Sequence, residues 1–325
     1  MLSRLPPALR RSVALSTAVP LSRDESPAVR SGVLEALGEV LYSFHADECA
    51  PPNELLSLFL GRQEDHPAPL TIAFGLPIPL PFGKIISTDS LKSRTVKPAP
   101  SKLDLFYDDP VRPLACAFNY PAVALTLGRA RWGELRSLYL TLSRNRSMKV
   151  RKTLAASLGE LARVIGPENA RRDLVDVWWD AMRCAEDGDI RLKAIEALPL
   201  FVSALGEGEA RDTIFSGLVK IWEDGWLRNW RAREGIIKII PDLAGAAAYP
   251  ECIHRILKWG LEDDFGAVRE VSISVVSKYS QSYFATSRLS RSRTCGEKMN
   301  YGELLWINCS TIFYNWPMLL PFGNA

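Results

Sequence analysis

Lys149-Val150-Arg151-Lys152-Thr153-Leu154-Ala155-Ala156-Ser157-Leu158-Gly159-Glu160-Leu161-Ala162-Arg163-Val164-Ile165 is the stretch from which the rest of the chain can be read. Val150, Leu154, Ala155, Leu158, Leu161, Ala162 and Ile165 recur at spacings of three and four, which lines one face of a helix with apolar side chains. The run opens on a hydrophobic residue followed by arginine, and the same opening returns. Ile190-Arg191, Trp230-Arg231 and Val268-Arg269 place their arginines 40, 40 and 38 residues apart, counted from Arg151. Val111-Arg112 stands 39 residues before Arg151, and Val29-Arg30 a further 82 before that, close to two periods.

A period near 40 accommodates two helices and two turns. One such hairpin cannot bury its apolar face alone, so neighbouring hairpins must stack. The sequence therefore predicts an all-α fold of the HEAT or armadillo type, an α-α superhelix or solenoid. Second helices carry the denser apolar face, as in Ile190, Ala194, Ile195, Leu198, Phe201 and Val202, or Trp230, Gly235, Ile236, Ile239, Ile240 and Leu243. First helices are thinner, as in Trp132, Leu135, Leu138, Tyr139 and Leu142, or Ile214, Leu218, Ile221 and Trp222. Of the pair Trp178-Trp179, helical spacing buries one ring and leaves its neighbour partly exposed.

The turn inside each unit is acidic or polar, as in Glu186-Asp187-Gly188-Asp189 and Glu262-Asp263-Asp264-Phe265-Gly266. Acids there suit the N-terminus of the coming helix. In a stack they also come within reach of a neighbouring unit. The expectation is a ladder joining Asp187 or Asp189 to Arg151 or Arg191, and Asp263 or Asp264 to Arg231 or Arg269.

Regularity fails twice. Residues 1–60 read as partial repeats, with helices over 8–19, 24–41 and from Pro52 to Leu60. Met1 to Val19 holds Arg4, Arg10 and Arg11; the tail of a preceding repeat helix is preferred over a transit peptide. Residues 61–107 contain Pro67, Pro69, Pro77, Pro79, Pro81, Pro98 and Pro100, a density that helix interiors do not tolerate. A disordered or loosely packed insertion is expected, with Leu70 to Leu80 standing where a second helix belongs. Asp108-Asp109-Pro110-Val111-Arg112 restarts the array, with Leu114, Ala115, Phe118, Val123 and Leu125 as its apolar face and Pro113 and Pro121 bending or shortening it. The array then spans 108–278. In residues 279–325 no period can be traced, and an irregular, disordered or aberrant tail is expected, such as a frame change or a retained intervening sequence would produce.

Composition excludes several classes. With 47% hydrophobic residues the chain as a whole is not a disordered protein, and a net charge of +3 does not call for nucleic acid. The six cysteines (49, 116, 184, 252, 295, 309) form no C-x-x-C pair, which fits a reducing compartment and argues against a zinc ribbon. No apolar run of membrane-spanning length occurs. His45, His66 and His254 sit in different units, and no metalloprotease, phosphate-loop or nucleophile-elbow motif is found, so neither catalysis nor a cofactor is expected. Two other binding roles are open to such a fold: a transport-type scaffold, or a nucleic-acid protein using Arg10, Arg11, Arg288, Arg291 and Arg293, which strong salt dependence would reveal.

Several segments carry a more particular resemblance. They are Cys116-Ala117-Phe118-Asn119-Tyr120-Pro121-Ala122-Val123-Ala124-Leu125-Thr126-Leu127-Gly128-Arg129, then Trp132 and Leu135-Arg136, Lys149 to Ala155, Gly159 to Ala162, and Asn229 to Glu234. Together they resemble the protein phosphatase 4 regulatory subunit 1 family and the related protein phosphatase 2A scaffold. The resemblance covers about 110–277. It implies a noncatalytic subunit, cytoplasmic or nuclear, that binds a serine/threonine phosphatase catalytic subunit and directs its substrate choice. Further regulatory subunits and phosphoprotein substrates would be additional partners, with no nucleic acid and no membrane. By position the resemblance assigns partner contact to the turns at 146–149, 186–189, 224–229 and 263–266. Trp226, Arg228 and Asn229 are the leading anchors, with Lys149, Asp187, Asp189, Asp263 and Asp264 beside them, while Trp230 is assigned to the core.

Overall fold

The computed structural model describes residues 2–45, 47, 50–61, 102–184, 188–243 and 248–290. They are built of α-helices and short 3-10 turns, with no strand among the described residues. The chain divides into two units, 1–211 and 212–325.

In the first unit α1 (Pro7–Leu21) pairs with α2 (Pro27–Tyr42), and α3 (Asn53–Leu60) is followed by the short α4 (Lys102–Tyr107) and by α5 (Arg112–Leu127). Next come α6 (Trp132–Ser143) and α7 (Met148–Ile165), then α8 (Pro167–Asp173), α9 (Val175–Arg183), α10 (Gly188–Glu196) and α11 (Leu198–Leu205). Second helices pack in a row: α2 on α5, α5 on α7, and α7 on α10 and α11. The expected face of α7 is the buried one, from Val150 to Ile165, and the helix ends where Gly166 turns to φ 83°. Burying one leucine of that face contributes roughly 1.5–3 kcal/mol.

Two close approaches set the spacing of the row. Gly159 of α7 lies against α11, where a Cβ would come within 2.7 Å of the Ala197 carbonyl. Gly38 of α2 leaves room for Asn119 of α5, whose Nδ2 donates to the carbonyls of Leu34 (3.3 Å) and Glu35 (3.2 Å). The last second helix of this unit breaks between α10 and α11, just before Pro199, which has no N–H for the continuing ladder.

First helices meet through polar groups. Asp173 at the end of α8 is buried and accepts from Trp132 Nε1 (2.8 Å) and Arg136 Nε (2.7 Å), both on α6, and from its neighbour Arg172 (2.8 Å). Trp132 also belongs to an aromatic cluster with Tyr120 and Tyr139. Trp178 and Trp179 are both buried, in edge contact at 4.5 Å, because the Trp178 N–H reaches the Ala194 carbonyl and draws α9 onto α10.

Arg112 Nη2 donates to the carbonyl of Phe59, in the last turn of α3, at 2.9 Å. Arg191 treats the end of α9 in the same way, donating to Met182 (2.7 Å) and Cys184 (2.9 Å). So α5 stands to α3 as a second helix to its first. The proline-rich segment lies between them in sequence. Its residues 62–101 lie outside the described residues, Leu70 to Leu80 included, but its end is α4, with Phe106 buried. In α5, Pro113 sits in the first turn and the helix continues through Pro121. Ala115 and Val123 are buried as expected, whereas Leu114, Phe118 and Leu125 are exposed.

The second unit holds the rest of α12 (Glu209–Glu223), then α13 (Trp230–Ile239), α14 (Pro250–Leu261) and α15 (Gly266–Ser290). First helices α12 and α14 meet through the stacked rings of Trp222 and Trp259 (6.0 Å) and an Arg255–Glu223 ion pair. Second helices α13 and α15 pack on each other. The tail expected from residue 279 falls partly on α15, and from 291 onward outside the described residues. Among the described residues no helix is long and apolar enough to cross a membrane.

Candidate partner-binding surface

The turns within helix pairs share one construction. An Asp or Asn side chain accepts the backbone N–H two residues on: Asp24 from Ser26, Asp109 from Val111, Asn145 from Ser147, Asn229 from Arg231, and Asp263 from Phe265, all at 2.8–3.0 Å. This fixes the bend before the second helix starts. An arginine one turn inside that helix then reaches back to the carbonyls left over at the turn. Arg30 donates to Asp24 and Glu25, Arg151 to Asn145, Arg233 to Leu227 and Arg228, and Arg269 to Asp263 and Asp264. Carbonyls at helix ends have no partner within the helix, and a guanidinium satisfies two at once.

In the fifth unit this arginine is Arg233, not Arg231. Ala232 is buried where Val150, Ile190 and Val268 are buried, while Arg231 is exposed and stands over the Trp230 ring at 4.6 Å. The register read from the sequence was two residues early there, because the turn before α13 is longer than its counterparts.

Two rungs of a ladder between units use cations that the sequence did not single out. Asp263 accepts two bonds from Arg233, at 2.5 and 3.0 Å, and Asp189 accepts from Lys152 at 2.5 Å. Burial alone would push the Asp263 carboxyl up. The hydrogen bonds from Arg233 and the Phe265 N–H, with the charges of Arg233 and Arg269, outweigh it and hold the group below its ordinary value. Asp189 is also lowered, by its hydrogen bond from Lys152.

Around the Asp263–Arg233 pair the second unit presents aromatic rings at its turns. Trp230 and Phe265 stack at 6.0 Å with 17° between their planes, and Arg233 lies 5.5 Å from the Phe265 centroid. Phe265 and Trp226 are each 46% exposed. Arg228 and Asp264 are exposed beside them, and Asn229 is spent on capping α13. Trp230 is half-buried in this surface rather than in the core. Trp230 and Arg231 were missed as surface residues, while Phe265 was included in the turn 263–266 without being named singly. In the first unit Lys149 and Asp189 are exposed, and Asp187 lies outside the described residues. Large half-exposed rings beside guanidinium groups suit the burial of a partner's surface.

Residues 116–221 match the family model described as protein phosphatase 4 regulatory subunit 1 middle domain. This stretch is similar to that family. The chain is 30% identical over 166 residues to serine/threonine-protein phosphatase 4 regulatory subunit 1 of Homo sapiens, and 35% identical over 166 residues to the proteins of that name from Mus musculus and Rattus norvegicus. Each alignment covers 50% of this chain and 17% of the relative, so the chain spans a small part of the length of the curated relatives it matches. The family stretch runs from α5 into α12. It contains Lys149, Asp187 and Asp189, and it ends before Trp226.

Proposed function

We propose that the chain is a noncatalytic regulatory subunit that binds a serine/threonine phosphatase catalytic subunit of the protein phosphatase 4 type and directs its choice of substrates, in the cytoplasm or nucleus. The observation that carries this reading is the match of 116–221, from within α5 to within α12, to the family model of a regulatory-subunit middle domain. The hydrolytic metals belong to the partner in this reading; among the described residues no group of three or more His, Cys, Asp or Glu is placed to hold a metal ion. The turn residues supply the contact: Trp226, Arg228, Trp230, Phe265 and Asp264 in the second unit, and Lys149 and Asp189 in the first.

The test is affinity purification of the tagged full chain from cell extract, with its companions identified by mass spectrometry. A protein phosphatase 4 catalytic subunit in stoichiometric amount is expected. A well-folded sample that brings down transport cargo, or no phosphatase, overturns the reading.

A further inference from the structure

The first unit carries a second surface, on the exposed side of its second helices. Leu114, Ala117 and Phe118 of α5, Lys149, Lys152, Thr153, Ala156 and Ser157 of α7, and Lys193 of α10 line an open groove of about 600 Å³. Phe118 is 76% exposed in the middle of a regular helix, one turn from the exposed Leu114. A lone surface apolar residue is ordinary, but here the ring adjoins Leu114 and the alanines of two helices, so the apolar area is continuous. Three lysines and no carboxylate line the groove. The nearest acids, Asp189 and Glu196, pair from outside it with Lys152 (2.5 Å) and Lys193 (2.6 Å). Those pairs are solvent-exposed and of the kind that contributes little, so a better-placed carboxylate can exchange for them.

We infer that this groove takes an acidic segment of a partner protein that carries one aromatic or branched aliphatic side chain. The apolar side chain packs on Phe118 and Leu114, and flanking carboxylates meet Lys149, Lys152 and Lys193. Apolar burial supplies affinity, and the lysines set orientation and association rate. The surface lies within the family stretch and shares Lys149 with the turn contacts proposed above, while Leu114, Phe118 and Lys193 belong to the groove alone.

The test pans a phage-displayed random-peptide library against the full chain and against the Phe118→Asp and Lys193→Glu variants. Phe118 is exposed and Lys193 partly so, and both variants should keep the helical circular dichroism of the parent. Acidic peptides with a bulky apolar residue should be enriched on the parent and not on Phe118→Asp. A selected peptide, followed by fluorescence anisotropy, should lose about tenfold in affinity with Phe118→Asp, and about threefold with Lys193→Glu, the latter loss shrinking as salt is raised. The inference is overturned if no such peptides are enriched over the Phe118→Asp variant, or if affinity is unchanged by the substitution. It is also overturned if the groove instead holds phosphatidylserine vesicles or duplex DNA in a Phe118-dependent way. Phosphatase capture, measured on the same variants, decides the earlier reading separately.

Discussion

Arg233 does two jobs at once. It closes the turn before α13 through the carbonyls of Leu227 and Arg228, and it holds Asp263 of the next turn with a pair of bonds. Truncating it leaves a shielded carboxylate and two carbonyls without their donor. Arg233→Ala is expected to lower stability by about 2–3 kcal/mol, the scale of hydrogen bonds to charged groups. Arg231→Ala, at an exposed position, should stay within about 0.5 kcal/mol. Urea unfolding of the two variants checks this directly, and equal losses would reject the assignment of register. The sequence could not separate the two arginines, since a strict period of 40 selects the wrong one. Only the length of the turn and the burial of Ala232 decide it. Asp173 offers a pH test at the same scale. Burial would raise its pKa, but hydrogen bonds from Arg172, Arg136 and Trp132 and the Arg136 charge lower it overall. A depressed folded value means its contribution is full above the unfolded value near 3.9 and is lost as pH falls below that. Asp173→Asn should be less stable at neutral pH, and its stability should fall less steeply below about pH 4, followed by thermal melts across the acid range.

Helices were the most legible level. The faces of α2, α7, α10 and α14 follow from spacings of three and four, because a stacked helix needs one continuous stripe and the stripe is local in sequence. The face of α5 was read less well. Its apolar residues go nearly all round, so periodicity could not say that Phe118 points to solvent while Ala117 and Tyr120 point inward. Likewise the density of prolines marked a break in the repeat pattern after Leu60, but could not say that a carbonyl of α3 is held by an arginine of α5 across it. That bond makes a definite expectation about the insertion. Replacing residues 62–101 by a Gly/Ser linker of about half the length should change stability by no more than about 1 kcal/mol, since halving a flexible loop alters closure entropy by only about 0.6 kcal/mol. A calorimetric melt that drops further would show that α3 and α5 depend on the segment for more than connection.

At the level of the whole chain, period and composition indicate a fold more readily than a partner. The proposed contacts lie at turns, where chemistry is set by a neighbouring unit rather than by adjacent sequence. The exposure of Trp226 was legible because a tryptophan in a Gly/Asp turn has no core to enter. Phe265 was covered only by the range 263–266, and its stacking on Trp230 of another helix was not legible. If these rings contact the catalytic subunit, Trp226→Ala and Phe265→Ala should each weaken capture by roughly 2 kcal/mol or about 30-fold. Quantitative pull-down with graded catalytic subunit, at unchanged helical content, measures this. Unaltered capture by both would move the contact surface elsewhere.

The clasp between Arg112 and Phe59 shows that a hairpin of this kind tolerates a very long excursion between its arms, provided one guanidinium still reaches the end of the first arm. Evolution can thus splice foreign sequence into such a bend without disturbing the stack on either side. A protein engineer who wishes to graft a sensor or a tether onto this chain should choose a bend whose arginine is left in place, and should expect the graft to fail where that arginine is removed.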